Sequence, residues 1–241
     1  MPLEVREIDP DKDFPALLEA LIESYETPNQ GALHAFLIHP GEGEEGRRKR
    51  LDEAATRFAA WHAADPSSYW QKVVDTETGE IAGAANWNVH SDNPFAHEHD
   101  LEVSWCPNDG SRRFTEQFLV QYATPRAIIG QRPQVYLYII FTRPKYRRQG
   151  VGNQLMSWGV KKADEMGVEM FIDASDIGVP LYEVNGFTVA QENPIVPKTE
   201  TEDEAWKEIA NRIGSVTTYV MWRPAGGPYT EGKTPMPWKE A

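Results

Sequence analysis

The run from Val135 to Thr142, Val-Tyr-Leu-Tyr-Ile-Ile-Phe-Thr, constrains the fold more than any other segment. Its residues are β-prone throughout and do not alternate between apolar and polar. A strand of this kind is typically covered on both faces, as in a sheet with helices packed on its two sides. A short basic connection with glycines and a helical pattern over 152–166 follow it. The chain is therefore predicted to adopt an α/β fold around one mixed sheet.

The remaining segments supply further strands and amphipathic helices for such a sheet. Predicted helices cover 14–26, 47–64, 113–129 with a break near Pro125, 152–166, 180–185 and 206–213. Predicted strands cover 5–8, 69–75, 80–89, 135–142, 168–173, 187–190 and 216–222. Loops are expected at 39–46, 90–112 and 191–204, and an extended tail over 224–241. At 241 residues, we expect one domain spanning 1–241 rather than two.

Composition excludes several classes of function. The formal net charge is −13, which disfavours a nucleic-acid partner, because that binding depends on Lys and Arg replacing counterions. No window is apolar enough to span a membrane, and the charged N-terminal segment does not resemble a secretory signal. Cys106 is the single cysteine, so an internal disulfide is not possible. We expect a soluble cytoplasmic protein.

The segment 143–153 combines a basic turn with Gly150 and Gly152 at the start of a helix. Free N–H groups at such a turn, together with the helix dipole, favour a bound anion. The spacing does not match the Walker pattern, and Leu155 stands where the dinucleotide fingerprint requires its third glycine. On glycine spacing alone, a phosphate site and an ordinary tight turn both remain open.

The segment 147–152, Arg-Arg-Gln-Gly-Val-Gly, resembles the Arg/Gln-x-x-Gly-x-Gly/Ala motif of GNAT acetyltransferases. The β-run and Tyr146 before it are similar to the strand that leads into the pyrophosphate loop of that family. After it, 173–175 and the Leu-Tyr-x-x-x-Gly-Phe element at 181–187 resemble a second family signature. The likeness is sharpest over 135–190. The chain resembles fungal members of the family in particular at Trp158-Gly159, Ala163-Asp164 and Ala174-Ser175.

The resemblance implies a splayed central sheet and acetyl-coenzyme A as co-substrate, without a metal. It assigns the pyrophosphate to the backbone N–H groups of Arg148, Gln149, Gly150, Val151, Gly152 and Asn153, with Arg147 adding positive charge. The Arg147 side chain could instead pair locally. It also implies that Phe141 and Thr142 pair with the pantetheine arm through their main chain, and that Ser175 meets the arm.

By the same resemblance, Tyr182 matches the tyrosine that serves the leaving thiolate, with a buried packing residue as the alternative. Tyr136 and Tyr138 occupy positions where relatives often carry a base, and Tyr138 is the second catalytic candidate. An alkyl amine with a pKa near 10.4 must lose a proton before attack, whereas an aromatic amine or hydrazine is already neutral. Other candidate bases, each also interpretable as a solvated loop residue, are His90, His97, His99, Asp100 and Glu102.

Two further features leave alternatives open. His97-Glu98-His99-Asp100 could suggest a metal site, but the segment is loop-like and lacks a separate third histidine, so we predict no metal. The acceptor is expected to be a small amine, in a pocket whose candidate walls are Trp87, Phe95, Trp105 and Tyr138. A non-catalytic acyl-coenzyme A sensor and a protein or histone N-acetyltransferase are the alternatives. The protein is expected to be a monomer or a homodimer.

Overall fold

A computed structural model describes residues 2–97 and 102–239. These residues contain seven strands and six α-helices. The strands are β1 (Leu3–Glu7), β2 (Ser68–Asp75), β3 (Ile81–His90), β4 (Gln134–Thr142), β5 (Glu169–Ala174), β6 (Thr188–Ile195) and β7 (Val216–Arg223). The helices are α1 (Phe14–Glu26), α2 (Gly43–Ala64), α3 (Gly110–Ile129), α4 (Val151–Met166), α5 (Val179–Glu183) and α6 (Glu204–Ile213). Short 3₁₀ helices cover Gly31–Phe36, Pro144–Tyr146 and Pro237–Lys239.

The strands form one mixed sheet in the order β1-β2-β3-β4-β5-β7-β6. β4 and β5 are its parallel pair and are joined by the crossover helix α4, while the other neighbours run antiparallel. This confirms the α/β class and the mixed sheet expected from the sequence. A parallel crossover brings the N-terminus of α4 to the carboxyl end of β4, which is where open α/β sheets bind ligands.

Both faces of the sheet are covered, which explains the unbroken apolar character of β4. On one face, α4 places Leu155 and Met156 against Val135 and Leu137, all nearly inaccessible to solvent. On the other face, α1 and α2 cover Phe141 and its neighbours. The same face continues under α3, where Tyr136 lies in a small apolar cluster, and α6 packs against α3. None of the described helices has both the length and the apolar character needed to cross a membrane.

β4 and β5 pair only from Gln134 to Leu137, after which they diverge. β4 continues to Thr142, and its register with β3 moves from Leu137 directly to Ile139, which leaves Tyr138 as the extra residue of a β-bulge. A bulge bends its strand and increases the local twist. The bulge therefore coincides with the point where the sheet opens, as the expected splay requires.

Several expected boundaries were wrong. α2 begins at Gly43, inside the predicted loop 39–46, and β6 runs on to Ile195 through the predicted loop 191–204. β6 is an edge strand, so its polar sequence faces solvent, and such an edge tolerates Pro194. The tail from 224 is not extended: it turns repeatedly, and Trp238 packs edge-on against Trp222 with ring centroids 5.0 Å apart.

The break expected near Pro125 is also absent, since α3 runs unbroken to Ile129. Proline removes the N–H that would bond the carbonyl four residues earlier. Here that carbonyl belongs to Gln121, and it accepts a hydrogen bond of 3.0 Å from Asn193 Nδ2 on the edge strand. The tertiary contact replaces the missing helical bond.

A substitution at Gly159 tests how closely α4 packs on the sheet. A Cβ added there would lie 2.3–2.5 Å from three ring carbons of the fully buried Trp87. We expect Gly159→Ala to lower the free energy of unfolding by about 1–3 kcal/mol through overpacking, as measured by urea denaturation. Ser157→Ala, at an exposed position of the same helix, should change it by less than about 0.5 kcal/mol. Equal stability of the two variants would contradict this packing.

Candidate functional site

A cavity of about 670 Å³ opens where β4 and β5 diverge. Its walls are β4 from Leu137 to Thr142, the end of β5 with the loop to Gly178, and the beginning of β7. The last turn of α1 and the 3₁₀ helix Gly31–Phe36 close the side away from α4. The cavity therefore lies in the sheet at the point where these two strands separate.

The main chain of β4 has unpaired groups facing this gap. The Arg143 N–H donates to Ala82 O on β3 at 2.9 Å, and N–H groups alternate between the two edges of a strand. Phe141 therefore also faces β3, and a Cβ placed on Gly83 would lie only 2.4 Å from the Phe141 carbonyl oxygen. Ile140 and Thr142 face the gap instead. Thr142 and Ile140, rather than Phe141, therefore present main-chain groups to the gap, while Phe141 lines the cavity.

The turn before α4 has an unusual backbone. Arg148 has φ +63°, the one positive φ among the described non-glycine residues, and Gly150 has φ +85°. Nothing lies within 4 Å of the Cβ position of Gly150, so the space above it is open. In the described part of the chain, the backbone N–H groups of 148–153 have no protein acceptor. Six free donors in a strained turn at a helix N-terminus form an anion-binding nest.

The Arg147 side chain has a local role. Its Nη2 donates to Ser24 O in the last turn of α1 at 2.7 Å, and its Nε donates to Thr142 O at 3.3 Å. It therefore ties α1, β4 and the turn together at the mouth of the cavity, which is the local pairing that the sequence left open. Arg148 is exposed beside the nest and has no acidic partner among the described residues.

Two of the predicted residues flank the gap on the β5 side. Ser175 follows β5, lines the cavity, and donates through Oγ to Gln30 Oε1 at 3.1 Å. Gly152, in the first turn of α4, packs against the Leu181 side chain, which would be 3.0 Å from an added Cβ. This contact brings α5 and the N-terminus of α4 together. Val151 is buried beneath the turn, while Gln149 and Asn153 are exposed on it.

Tyr182 lies on α5 with 6% exposure and lines the cavity. Its ring packs against Phe187 and against Gly178, whose lack of a side chain makes room for the phenol. Burial raises the pKa of Tyr182 well above its ordinary value of 10, so the hydroxyl is protonated at neutral pH. The residue is thus a hydrogen-bond donor at the cavity and cannot act as a base there.

Tyr138, the bulge residue, also lines the cavity. Phe36 meets the Tyr138 ring edge-on, with centroids 6.4 Å apart and planes at 85°, and Phe36 meets Tyr122 of α3 in the same way. Burial raises the pKa of Tyr138 to about 12. A phenol of this kind is neutral near pH 7, so Tyr138 is a wall and a donor rather than a base.

A buried charged cluster supports the cavity wall from behind, and sequence reasoning missed it. Arg126 of α3 donates through Nε to Asp173 Oδ2 at 2.8 Å, and Tyr136 OH donates to the same oxygen at 2.9 Å. The Asp173 side chain is fully buried, and Arg126 lies over the Tyr136 ring at 3.6 Å. Phe118, Tyr122 and Arg126 recur at four-residue spacing, which was the signal that Arg126 faces inward.

The candidate bases do not converge on the cavity. His90, His97 and Glu102 are not among its described lining residues, and His90 pairs with Gln134 at the far end of β4. His99 and Asp100 lie outside the described residues, as does part of the suggested metal segment. In the described chain, no three potential ligands gather in one place.

Of the four residues predicted as pocket walls, only Tyr138 is among the described residues that line the cavity. Trp87 is buried under α4, Trp105 stacks on the Arg57 guanidinium, and Phe95 lies under that of Arg126.

One known protein family and several solved structures are similar to this chain. Residues 113–198 match the family model described as an acetyltransferase (GNAT) domain. A Corynebacterium glutamicum structure, described as histone acetyltransferase HPA2 and related acetyltransferase, has 18% identity and a TM-score of 0.56, covering 95% of this chain and 100% of that one. An N-acetyltransferase from Staphylococcus aureus Mu50 has 11% identity and a TM-score of 0.51, covering 93% and 99%.

A phosphinothricin acetyltransferase from Sinorhizobium meliloti, solved in complex with AcCoA, has 18% identity and a TM-score of 0.48, covering 98% of both chains. No curated protein sequence matches the chain significantly. The family match covers residues 113–198 of the chain, and the solved structures with TM-scores above 0.5 show that the chain has the fold of these acetyltransferases.

The Asp173 cluster yields a stability prediction. Asp173→Asn would leave the Arg126 guanidinium buried without a counter-charge, so we expect a loss of about 3–5 kcal/mol in the free energy of unfolding. Tyr136→Phe removes one hydrogen bond from the same carboxylate and should cost about 1–3 kcal/mol. Urea denaturation measures both. A loss for Asp173→Asn no larger than that for Tyr136→Phe would show that the ion pair is not needed.

Proposed function

We propose that the chain, which carries a GNAT acetyltransferase domain, moves the acetyl group of acetyl-coenzyme A onto the amine of a small molecule in a ternary complex. The observation that supports this proposal is that a group of free backbone N–H donors and a gap between two strands are adjacent. A nest of free N–H groups at 148–153 directly follows Arg147, which lines a cavity, and that cavity lies between two separated strands. One ligand with a diphosphate and a long amide-bearing arm satisfies both.

The nest fits a pyrophosphate. The N–H groups of 148–153 point outward from the helix start, and Gly150 offers no side chain to obstruct a phosphate. The exposed Arg148 guanidinium adds charge on the solvent side, where a further phosphate of coenzyme A would be met. The strain at Arg148 is consistent with a backbone shaped for binding.

The gap fits the pantetheine arm. Ile140 and Thr142 direct main-chain groups toward it, so an arm with two amides could pair with β4 as a short extra strand. Ser175 offers a hydroxyl from the opposite wall. Phe141, the partner expected from the sequence, supports this arrangement through its packing under α1.

The chemistry then requires few groups. The amine nitrogen attacks the thioester carbon, the C–S bond breaks, and the proton lost by nitrogen joins the sulfur to give the thiol. A main-chain N–H facing the gap from Ile140 or Thr142 can stabilise the developing oxyanion. Tyr182, held protonated, can donate a hydrogen bond to the departing sulfur. Holding the two reactants together supplies much of the remaining effect, on the order of several kcal/mol.

Two other functions share this site. A non-catalytic acyl-coenzyme A sensor would need only the nest and the gap, so the donor at Tyr182 favours catalysis. A protein or histone N-acetyltransferase would need an open approach for a peptide. The closure of the acceptor side by α1 and the 3₁₀ helix Gly31–Phe36 favours a small amine. Cytoplasmic action, kinship with fungal members and a monomeric or dimeric state remain predictions.

Acetyl-coenzyme A at about 100 times its Kd should raise the Tm by roughly 5–10 °C, as followed by differential scanning fluorimetry. Gly150→Glu should abolish this shift, because a carboxylate would enter the nest. Gly167→Glu is the matched control, since Gly167 also has positive φ and open space but lies at the other end of α4. The donor site is misplaced if Gly150→Glu retains the shift.

Tyr182→Phe should lower kcat by about tenfold to a hundredfold, because it removes the donor to the departing sulfur while keeping the ring. The KM for acetyl-coenzyme A should stay within about twofold. Tyr69→Phe, a half-buried phenol outside the cavity, should leave both constants unchanged. The assay is thiol release with an amine panel, and an unaltered kcat in Tyr182→Phe would remove Tyr182 from the mechanism.

A further inference from the structure

Three aromatic side chains form one wall of the cavity on the sheet face opposite α4. We call Phe36, Tyr122 and Tyr138 the aromatic wall. Phe36 stands between the two tyrosines and meets each edge-on at 6.4 Å, with interplanar angles of 80° and 85°. Arg147, directly before the nest, lines the same cavity on the side of α4. The aromatic wall therefore faces the side from which a second substrate would reach the gap.

The aromatic wall is fixed in place before any ligand binds. The Phe36 carbonyl accepts a 2.8 Å bond from Arg57 Nη2, and Arg57 is held by Glu53 and by the rings of Trp61 and Trp105 at 4.6 and 4.5 Å. Tyr138 is set by the bulge. A wall that needs no rearrangement holds a flat ring at little entropic cost.

Tyr122 completes the wall from α3. Its hydroxyl donates to Asp173 O at 3.4 Å, in front of the Arg126–Asp173 pair. Each of the three members of the aromatic wall thus belongs to a different element of the fold.

The electrostatics of the aromatic wall disfavour an ammonium ion. Burial keeps the hydroxyl of Tyr138 neutral, with its pKa raised to about 12, and that of Tyr25 across the cavity likewise. The charged groups that act on Tyr138 are the guanidinium groups of Arg57 and Arg126, which are paired with Glu53 and Asp173 respectively. An ammonium ion placed against this wall would lose its water, and the carboxylates of Glu53 and Asp173 behind the wall are already paired with arginine.

We propose that the acceptor is a primary aromatic amine, bound uncharged with its ring against the aromatic wall of Phe36, Tyr122 and Tyr138. This inference rests on the proposed acetyl transfer and names its substrate class. An aromatic amine is unprotonated at neutral pH, so its nitrogen needs no base before attack, unlike an alkyl amine with a pKa near 10.4. The tyrosines on β4, where a base was sought, then serve as the binding surface.

Three probe amines test the substrate class with the wild-type protein and acetyl-coenzyme A at pH 7.5. Aniline carries a ring and is neutral, benzylamine carries a ring and a charge, and cyclohexylamine carries a charge without an aromatic ring. We expect kcat/KM for thiol release to be at least tenfold higher for aniline than for the other two. A higher kcat/KM for benzylamine or cyclohexylamine would overturn the inference.

Variants of the aromatic wall test the location. Tyr138→Leu should raise the KM for aniline at least tenfold and leave the KM for acetyl-coenzyme A within twofold. Tyr138→Phe, which keeps the ring, should raise the KM for aniline less than Tyr138→Leu does. Tyr69→Leu removes a tyrosine stacked on Trp158 at 4.1 Å outside the cavity and should change neither KM. An unchanged KM for aniline in Tyr138→Leu, or equal rises in both KM values, would show that the aromatic wall does not bind the acceptor.

Two further results separate the possible failures. If Tyr138→Leu does not fold, Phe36→Leu must give the same split between the two KM values, and the inference fails if it does not. If acetyl-coenzyme A does not raise the Tm and no amine releases thiol, the proposed function itself is wrong. If acetyl-coenzyme A binds and only the alkyl amines are acetylated, the function stands and the aromatic acceptor is rejected.

Discussion

The divergence of β4 from β5 after Leu137 is the constraint on which the rest of the site depends. Up to that point the two strands satisfy each other's main-chain groups, and beyond it no strand faces the N–H groups of Ile140 and Thr142. Unpaired main-chain groups in a protein interior are costly unless water or a ligand bonds them. The bulge at Tyr138 keeps β4 paired with β3 while turning it away from β5. The gap is thus a stable feature of the fold.

The crossover helix places a second requirement at the same end of the sheet. A short connection from β4 to α4 must reverse direction within a few residues, and it does so through positive φ at Arg148 and Gly150. A non-glycine residue in this region costs on the order of 1–3 kcal/mol. Arg147 offsets part of that cost by bonding both α1 and β4. The same two elements, β4 and α4, therefore position both the backbone N–H donors of the turn and the gap.

Sequence reasoning located the segment that carries the site but not its geometry. The β-run at 135–142 and the helix after it follow from local patterns, and so does the turn with Gly150. The gap does not, because it depends on register with β3 and β5, and a bulge at Tyr138 leaves no mark in the sequence. For the same reason Phe141 was predicted to face the gap where Ile140 and Thr142 do, since the edge that an N–H faces is set by pairing.

Non-local contacts account for the other differences. Pro125 does not break α3 because Asn193, far along the chain, bonds the carbonyl that proline leaves free. The tail folds back because Trp238 packs against Trp222. Asp173 and Arg126 each look like ordinary surface charges in the sequence, yet they form a buried pair behind the aromatic wall. Periodicity along α3 was the one available signal.

Residue-resolved amide hydrogen exchange with and without coenzyme A tests the central claim most directly. The account predicts slower exchange of the N–H groups of Ile140 and Thr142 and of those at 148–153 when coenzyme A is bound. Phe141, which already faces β3, should exchange at the same rate in both states. Binding of coenzyme A without slower exchange at Thr142 and in the nest would contradict the account.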